Sequence, residues 1–448
     1  MINLFKRKLH NLISDKKFSE ILTGSVWALG AKVISTGLAM LTSIIIVRVY
    51  GAEVMGIVAM VNSFLMLATI FTVLGTNTSI LRLIPEHIVR FSPTSAYRVY
   101  RKTQYFVTGI SVISGGIFFL GSPFIANKVF SKPHLSFFFA LAAVFIVFKS
   151  LVILNIQAVR GLRLIRTFAF MQMLPSLSKL LILLVITVLF FNQYNPVYAL
   201  FASFLITALV GILIMTRKFK KQMTKSDVIH DMPMKDILSL SLPMLMTATM
   251  SFVIGQTGVI MLGIFKSEAE VGYYSIAVSL ATLTAFVLEA INSMAAPRFS
   301  ELYHTSKMDE LFHIAKKSSK LIFCTTAPIL LFLLAFGKII LPLLYGQKFE
   351  QAYVALVFLL IGQFVNAISG STGIFMNMTG NEKQLKNIMY FSAALNIVLN
   401  LLLIPVYGIE GAAFAGMTSL SFANIYTLIY IKLKHGKTIG YLPIFKIP

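Results

Sequence analysis

The stretch LTGSVWALGAKVISTGLAMLTSIIIV (residues 22–47) holds a single ionisable side chain, Lys32. As a helix rising 1.5 Å per residue it is long enough to cross the ~30 Å hydrocarbon core of a bilayer. Arg48 follows it at once, and Gly51-Ala52-Glu53 separates it from a second apolar run. Working outward, the same reading gives twelve candidate spans: 22–47, 55–80, 105–126, 135–157, 169–191, 196–216, 237–264, 272–296, 320–345, 352–378, 387–404 and 410–431. Each must be helical, because lipid offers no partner to a free backbone N–H or C=O. The ~10-residue alternating segments of a membrane β-barrel are absent. Composition agrees: of 448 residues 57% are hydrophobic and 12% charged, with a mean hydropathy of +0.84. A soluble domain would carry about 25% charged residues, so an ordinary soluble enzyme is excluded.

Lys and Arg number 39 against 16 Asp and Glu, a formal net charge of +23. The cations lie in short patches between spans. One set of loops holds nearly all of them, and the other only Arg48, Lys128, Lys132, Lys266, Lys338 and Lys348. By the positive-inside rule this places both termini in the cytoplasm. The charge excess therefore has a topological cause and implies no nucleic-acid partner. Cys324 is alone, so neither an intramolecular disulfide nor a cysteine metal site is expected. Residues 1–20 lack an apolar core of their own. Phe5, Leu9, Leu12 and Ile13 fall on one helical face among Lys6, Arg7, Lys8, Lys16 and Lys17, the pattern of a helix lying on an anionic lipid surface.

Sliding the chain along itself by 216 residues aligns Gly56 with Gly272, Arg82 with Arg298, Gly121 with Gly337 and Lys132 with Lys348. A shift of 219 aligns Gly161 with Gly380. Chance glycine matches and the charge rule account for some of these pairs. Taken in order they predict an all-α polytopic protein of two six-helix lobes, related by a pseudo-two-fold axis along the membrane normal. The expected layout is an amphipathic cytoplasmic segment (1–20), an N-lobe (21–216), a cytoplasmic linker (217–236), a C-lobe (237–431) and a cytoplasmic tail (432–448). None of the loops is long enough for a catalytic domain, so function belongs within the bundle.

The second half carries a series of motifs: Ala296-Pro297-Arg298-Phe299, Tyr345-Gly346-Gln347-Lys348-Phe349, Gly362-Gln363-Phe364-Val365-Asn366 and Met378-Thr379-Gly380-Asn381-Glu382-Lys383. Asn396-Ile397-Val398-Leu399-Asn400 and Leu403-Ile404-Pro405-Val406-Tyr407-Gly408-Ile409-Glu410-Gly411-Ala412-Ala413 complete it. In this the chain resembles the oligosaccharide flippases of polysaccharide biosynthesis, such as O-antigen flippases. These belong to the superfamily that also holds multidrug-extrusion proteins and lipid II flippases. The resemblance implies two lobes forming a V in a bacterial plasma membrane. Alternating access would move a polyprenyl-diphosphate-linked oligosaccharide from the cytoplasmic to the outer leaflet, with a polysaccharide polymerase as a further partner. It implies no cofactor. Multidrug extruders usually carry an acid in the first span, where this chain has Lys32.

Four ionisable side chains fall inside spans: Lys32, Lys149, Lys179 and Glu289. Such residues are costly in lipid and normally face a cavity. The span limits put all four about 10–15 Å from the cytoplasmic surface. The three lysines are candidates for binding a diphosphate, since charge-assisted hydrogen bonds are the strong ones. The alternative is that they snorkel to headgroups. Lys32 shares a helical face with Ser25, Ser35, Thr36 and Ser43. Arg48 is a candidate for the same cationic cavity, and Arg82 and Arg298 for the cytoplasmic portal. Glu289 continues a stripe of Ser275, Ser279, Thr282, Asn292 and Ser293. It would either couple transport to H⁺ or Na⁺ or form a fixed ion pair with a lysine. Gln363, Asn366, Gly370, Gly373 and Asn377 stripe the tenth span, and Ser392, Asn396 and Asn400 the eleventh. They would either line the cavity or pack helix on helix, packing being the better reading.

Two other functions compete with this reading. An enzyme would need an acid or histidine constellation, yet Glu289 is the lone intramembrane acid and all seven histidines fall outside the apolar runs. No Gly-rich nucleotide-binding loop is present either. A cation-coupled multidrug antiporter is the closer rival and would favour an acidic lumen.

Overall fold

The computed structural model describes residues 16–221, 223 and 230–441. Most of the surface helix expected at 1–20, part of the 217–236 linker and the end of the tail lie outside the described residues, as do the side chains of Ser25 and Ser293. Among the described residues there is no β-strand.

Among the described residues nine helices are long and apolar enough to cross a membrane, ten with the bent pair Glu268–Leu283 and Ala285–Asn292. Two of these are each divided by a kink, which gives twelve spans. The helix Lys16–Val73 and the helix Glu382–His435 are each far longer than a bilayer is thick, and each contains one non-helical glycine, Gly51 (φ 90°) and Gly408 (φ 54°). Positive φ is accessible to glycine at little cost, and the chain reverses there. Across Gly408 the two limbs run antiparallel: Ser392 Oγ donates to the Ser419 carbonyl at 2.6 Å and Asn396 Nδ2 to Ser419 Oγ at 2.9 Å. Ser392 and Asn396 thus bind helix to helix, while Asn400 donates to Asn396 within the eleventh span.

In order, the spans are 16–50, 52–73 (extended by Thr76–Arg90), Pro93–Phe124, Ser136–Gly161, Ile165–Leu189, Asn195–Lys220, Met234–Phe265, Glu268–Leu283 with Ala285–His304, Met308–Tyr345, Tyr353–Ser369 with Thr372–Met378, 382–407 and 409–435. The eighth is bent by 44° at Thr284. The tenth is broken at Gly370 (φ 69°), and the carbonyl of Ile368 freed there accepts the backbone N–H of Tyr441 at 2.9 Å. The interval 297–319, read as a loop, is instead mostly helical extension, with only Thr305–Lys307 between helices. His87, His313 and His435 likewise lie on helical extensions and not in loops.

The repeat is visible in the packing. The first span hydrogen-bonds the fifth through Ser35 and Ser176 at 3.0 Å, and the seventh meets the eleventh through Met246 and Tyr390. At the sparsely charged face the second span crosses the eighth. A Cβ on Gly56 would clash with the Glu268 carbonyl oxygen, and one on Gly272 with the Ala52 carbonyl oxygen. Both pairs obey the shift of 216, so the contact is isologous, as a two-fold requires.

One continuous apolar core at this face draws residues from both lobes, among them Ile57, Phe64, Phe139, Ile276, Leu280 and Leu356. Toward the basic face the core divides. One part centres on Leu83, Tyr100 and Phe219 of the N-lobe, and the other on Phe299, Phe312 and Phe375 of the C-lobe. The lobes therefore share one core at the sparse face and have separate cores toward the basic one, where Ile237 of the seventh span still packs into the N-lobe part.

Helices in lipid associate by close packing, so the small-residue crossing has to carry much of the lobe contact. Gly56→Val should force that crossing apart and destabilise the folded protein by about 1–3 kcal/mol or more. Thermal unfolding in detergent is the check. Gly30→Val, where open space surrounds the glycine, is the control and should change the midpoint far less.

Candidate functional site

Between the lobes lies a cavity of about 520 Å³. Its N-lobe wall is built from the first, second, fourth, fifth and sixth spans, through Thr36, Ser43, Asn62, Lys149, Lys179 and Ser203. Its C-lobe wall comes from the seventh, eighth and ninth, through Gln256, Ser275, Ser279, Thr282, Phe286 and Tyr345. Lys149 and Lys179 are its charged residues, and none of the described lining residues is a carboxylate.

Lys149 holds its ammonium 4.0 Å from the centre of the Phe204 ring and 3.4 Å from Asn62 Oδ1. The first is a cation–π contact and the second a weak hydrogen bond; neither neutralises the charge. Lys179 has no ion-pair or hydrogen-bond partner among the described residues. Two like charges thus share one enclosed, mostly apolar space, where a single anion would satisfy both. Two lobe-to-lobe hydrogen bonds frame it: Ser63 Oγ donates to Gln256 Oε1 at 2.7 Å, and Ser43 Oγ lies 3.2 Å from Tyr345 Oη.

The other predicted residues lie elsewhere. Lys32 sits at the edge of the cavity toward the basic face, in an ion pair with Glu289 that joins the first span to the eighth. Glu289 is thereby paired with a lysine. Arg48 is not a cavity residue. Its Nε donates to the Leu344 carbonyl at 3.0 Å and its Nη2 to the Leu343 carbonyl, so it caps the end of the ninth span from the opposite lobe. The negative end of a helix dipole favours such a cation.

Lys132 does the same for the seventh span, donating to the carbonyls of Gly263 at 3.0 Å and Lys266 at 2.7 Å, with Glu268 3.6 Å away. Burial lowers the pKa of Lys132 below the usual lysine value, and Glu268 opposes that shift.

Arg82 is exposed and pairs loosely with Glu86 at 3.6 Å. Arg298 is spent within its own lobe, on Glu301 at 2.7 Å and Glu310 at 2.8 Å. Both stand at the basic face, but neither guanidinium is poised for a ligand. Gln363 and Asn366 bond each other at 3.2 Å and do not line the cavity. Asn292 is also off the lining, its buried Oδ1 without a partner among the described residues. Asn62, Ser63, Gln256 and Tyr345 were missed by the sequence reading. The signal was there for the first three, polar residues within the apolar second and seventh spans, whereas Tyr345 reads as an ordinary interface aromatic.

Comparison with known proteins bears on the same architecture. Residues 21–303, more than half of the chain, match the polysaccharide biosynthesis protein family, and residues 243–402 match the MatE family. The chain is 25% identical over 230 residues to a Haloferax volcanii protein named probable low-salt glycan biosynthesis flippase Agl15, an alignment covering 51% of this chain and 46% of that one. It thus spans about half the length of the curated relatives it matches.

Among solved structures it is similar to the lipid II flippase MurJ in an inward closed conformation, with a TM-score of 0.70 and 14% identity over 90% of this chain and 86% of that one. It is also similar to an inward-facing multidrug resistance MATE family transporter of the MOP superfamily. There the TM-score is 0.65, with 16% identity over 89% and 94% of the two chains. At these identities the likeness shows the fold: two six-helix lobes crossing a membrane many times. The proteins matched are flippases and transporters, not enzymes. On the match over residues 21–303, this chain belongs to the polysaccharide biosynthesis protein family.

Proposed function

We propose that the protein is a flippase that moves polyprenyl-diphosphate-linked oligosaccharide units from the cytoplasmic to the outer leaflet of a bacterial plasma membrane. Their destination would be a surface polysaccharide of the O-antigen kind. The observation that carries the reading is the cavity between the lobes, with Lys149 and Lys179 on its wall and no carboxylate among its described lining. The diphosphate bridges the two ammonium groups, while Ser275, Ser279, Thr282 and Gln256 face it with groups able to hydrogen-bond sugar hydroxyls. The Haloferax volcanii relative is named a probable low-salt glycan biosynthesis flippase, which supports the cargo class.

In this reading the basic face is cytoplasmic, by the positive-inside rule, and the cavity opens toward that leaflet, where the cargo is made, when the lobes part there. The cycle alternates between states open to opposite sides, and cargo shifts their balance by binding them unequally. A proton or sodium gradient supplies the drive, with Glu289 as the carboxylate that senses it. A polysaccharide polymerase is the partner that receives the product.

The MATE likeness and the MatE match favour a second reading, a cation-coupled multidrug antiporter. A cavity whose fixed charges are both positive would repel the cationic drugs that such a protein carries.

The deciding experiment is leaflet transfer of a fluorescent isoprenyl-diphosphate disaccharide in reconstituted vesicles. The parent should transfer it. Lys149→Met and Lys179→Met together should cut transfer about 10²- to 10⁴-fold, the loss expected for two charge-assisted hydrogen bonds. Transfer of a cationic dye and not of the diphosphate would establish the multidrug reading instead. A second prediction concerns the sparse face. Arg48→Ala with Lys132→Ala removes both cross-lobe caps and should raise the outward-open population, read as faster labelling of a cysteine placed at Ser43 by a membrane-impermeant reagent applied from that face. Labelling unchanged from the Ser43→Cys parent would show that the caps do not hold the lobes.

A further inference from the structure

The pseudo-two-fold gives the cavity two flanks toward the basic face, and the structure closes them by different means. Where the second span meets the seventh, the seal is packing. Gly75, at φ 77°, lets the Ser241 carbonyl approach its α-carbon closely, Ser79 Oγ lies 2.6 Å from Ser241 Oγ, and Ile80 and Ile237 are fully buried in the N-lobe core. Where the first span meets the eighth, the closing contact is the Lys32–Glu289 ion pair. Its side chains are 34% and 52% exposed, and Val33, Ile34 and Met294 beside it are exposed as well.

The pair also touches the cavity. The Lys32 ammonium lies 5.5 Å from the ring of Phe286, a lining residue, and Thr36, one turn away, is another. Glu289 stands beyond the 44° bend at Thr284, on the half of the eighth span that the Gly56–Gly272 crossing does not pin. Exposed ion pairs are weak, and a phosphate is a strong acceptor for an ammonium already on the cavity's rim.

We propose that the Lys32–Glu289 pair is a latch opened by the cargo. The anionic headgroup takes Lys32 from Glu289, and the eighth span beyond Thr284, together with the C-lobe core that Phe299 anchors, then moves away from the first span, widening the passage between the two. This rests on the reading that the cavity admits an anionic lipid-linked cargo, and it assigns Lys32 the role of exchanging partners instead of holding the bound diphosphate. A ligand acts on such an equilibrium only by its differential affinity for the two states, so an uncharged isoprenoid must leave the latch closed.

The test uses the full chain in nanodiscs with Cys324→Ser, spin labels at positions 34 and 294, and pulsed EPR distances. Samples contain no ligand, farnesyl diphosphate or farnesol, and probe bound is measured on each. The latch predicts a longer distance with farnesyl diphosphate alone. Glu289→Gln should show the longer distance without ligand, its population raised up to about fivefold, the shift expected for losing one exposed ion pair. The charge swap Lys32→Glu with Glu289→Lys should restore the shorter distance, which separates a latch effect from misfolding. Bound farnesyl diphosphate without a distance change overturns the latch and leaves the flippase reading intact. Absence of binding overturns both, and an equal response to farnesol overturns the role of charge.

Discussion

The architecture depends on one backbone contact. Gly56 and Gly272 let two helices approach until each carbonyl ladder touches the other's α-carbons, and both partners of the contact are related by the internal repeat. Around that crossing the apolar core is shared by both lobes; away from it the core splits in two. A joint at one face and a divided core at the other is the mechanical requirement for lobes that rock. The cations Arg48 and Lys132 reinforce the joint by reaching across to carbonyls at helix ends. They add charge where helix dipoles already favour it.

Charge is distributed without regard to that symmetry. Lys149 and Lys179 both belong to the N-lobe, and the polar residues of the C-lobe wall, among them Gln256, Ser275, Ser279 and Thr282, are uncharged and stand among apolar ones. The repeat fixes a shared frame, while the cavity chemistry follows what each wall must hold. A diphosphate with a sugar attached is itself asymmetric, strongly charged at one end and densely hydroxylated at the other. The cavity has the same division.

The spans were readable in the sequence because lipid leaves the backbone no alternative to helix, so hydropathy and length decide nearly everything. Even the reversals at Gly51 and Gly408 lie at expected breaks. The cavity was only partly readable. Lys149 and Lys179 stood out as charges in apolar runs, and they line it. Arg48 was equally conspicuous, yet its target is a set of helix-end carbonyls on the other lobe, which no local pattern reveals. Gln363 and Asn366 keep the stripe spacing of a lining but face each other, since a stripe fixes a helix face and not its neighbour. Asn62 was missed although it is a polar residue in an apolar run, because its role rests on Lys149 of another span beside it. Arg82 and Arg298 satisfied both the charge rule and the repeat, and the glutamates nearby absorb them.

The central claim is that the N-lobe lysines hold a diphosphate. A cryo-EM structure of the protein with a short-chain isoprenyl-diphosphate disaccharide tests it most directly. The account predicts density for the two phosphates between Lys149 and Lys179, with the sugars against Ser275, Ser279 and Gln256. Diphosphate density at the basic face alone, on Arg82 or Arg298 with the cavity unfilled, would contradict it.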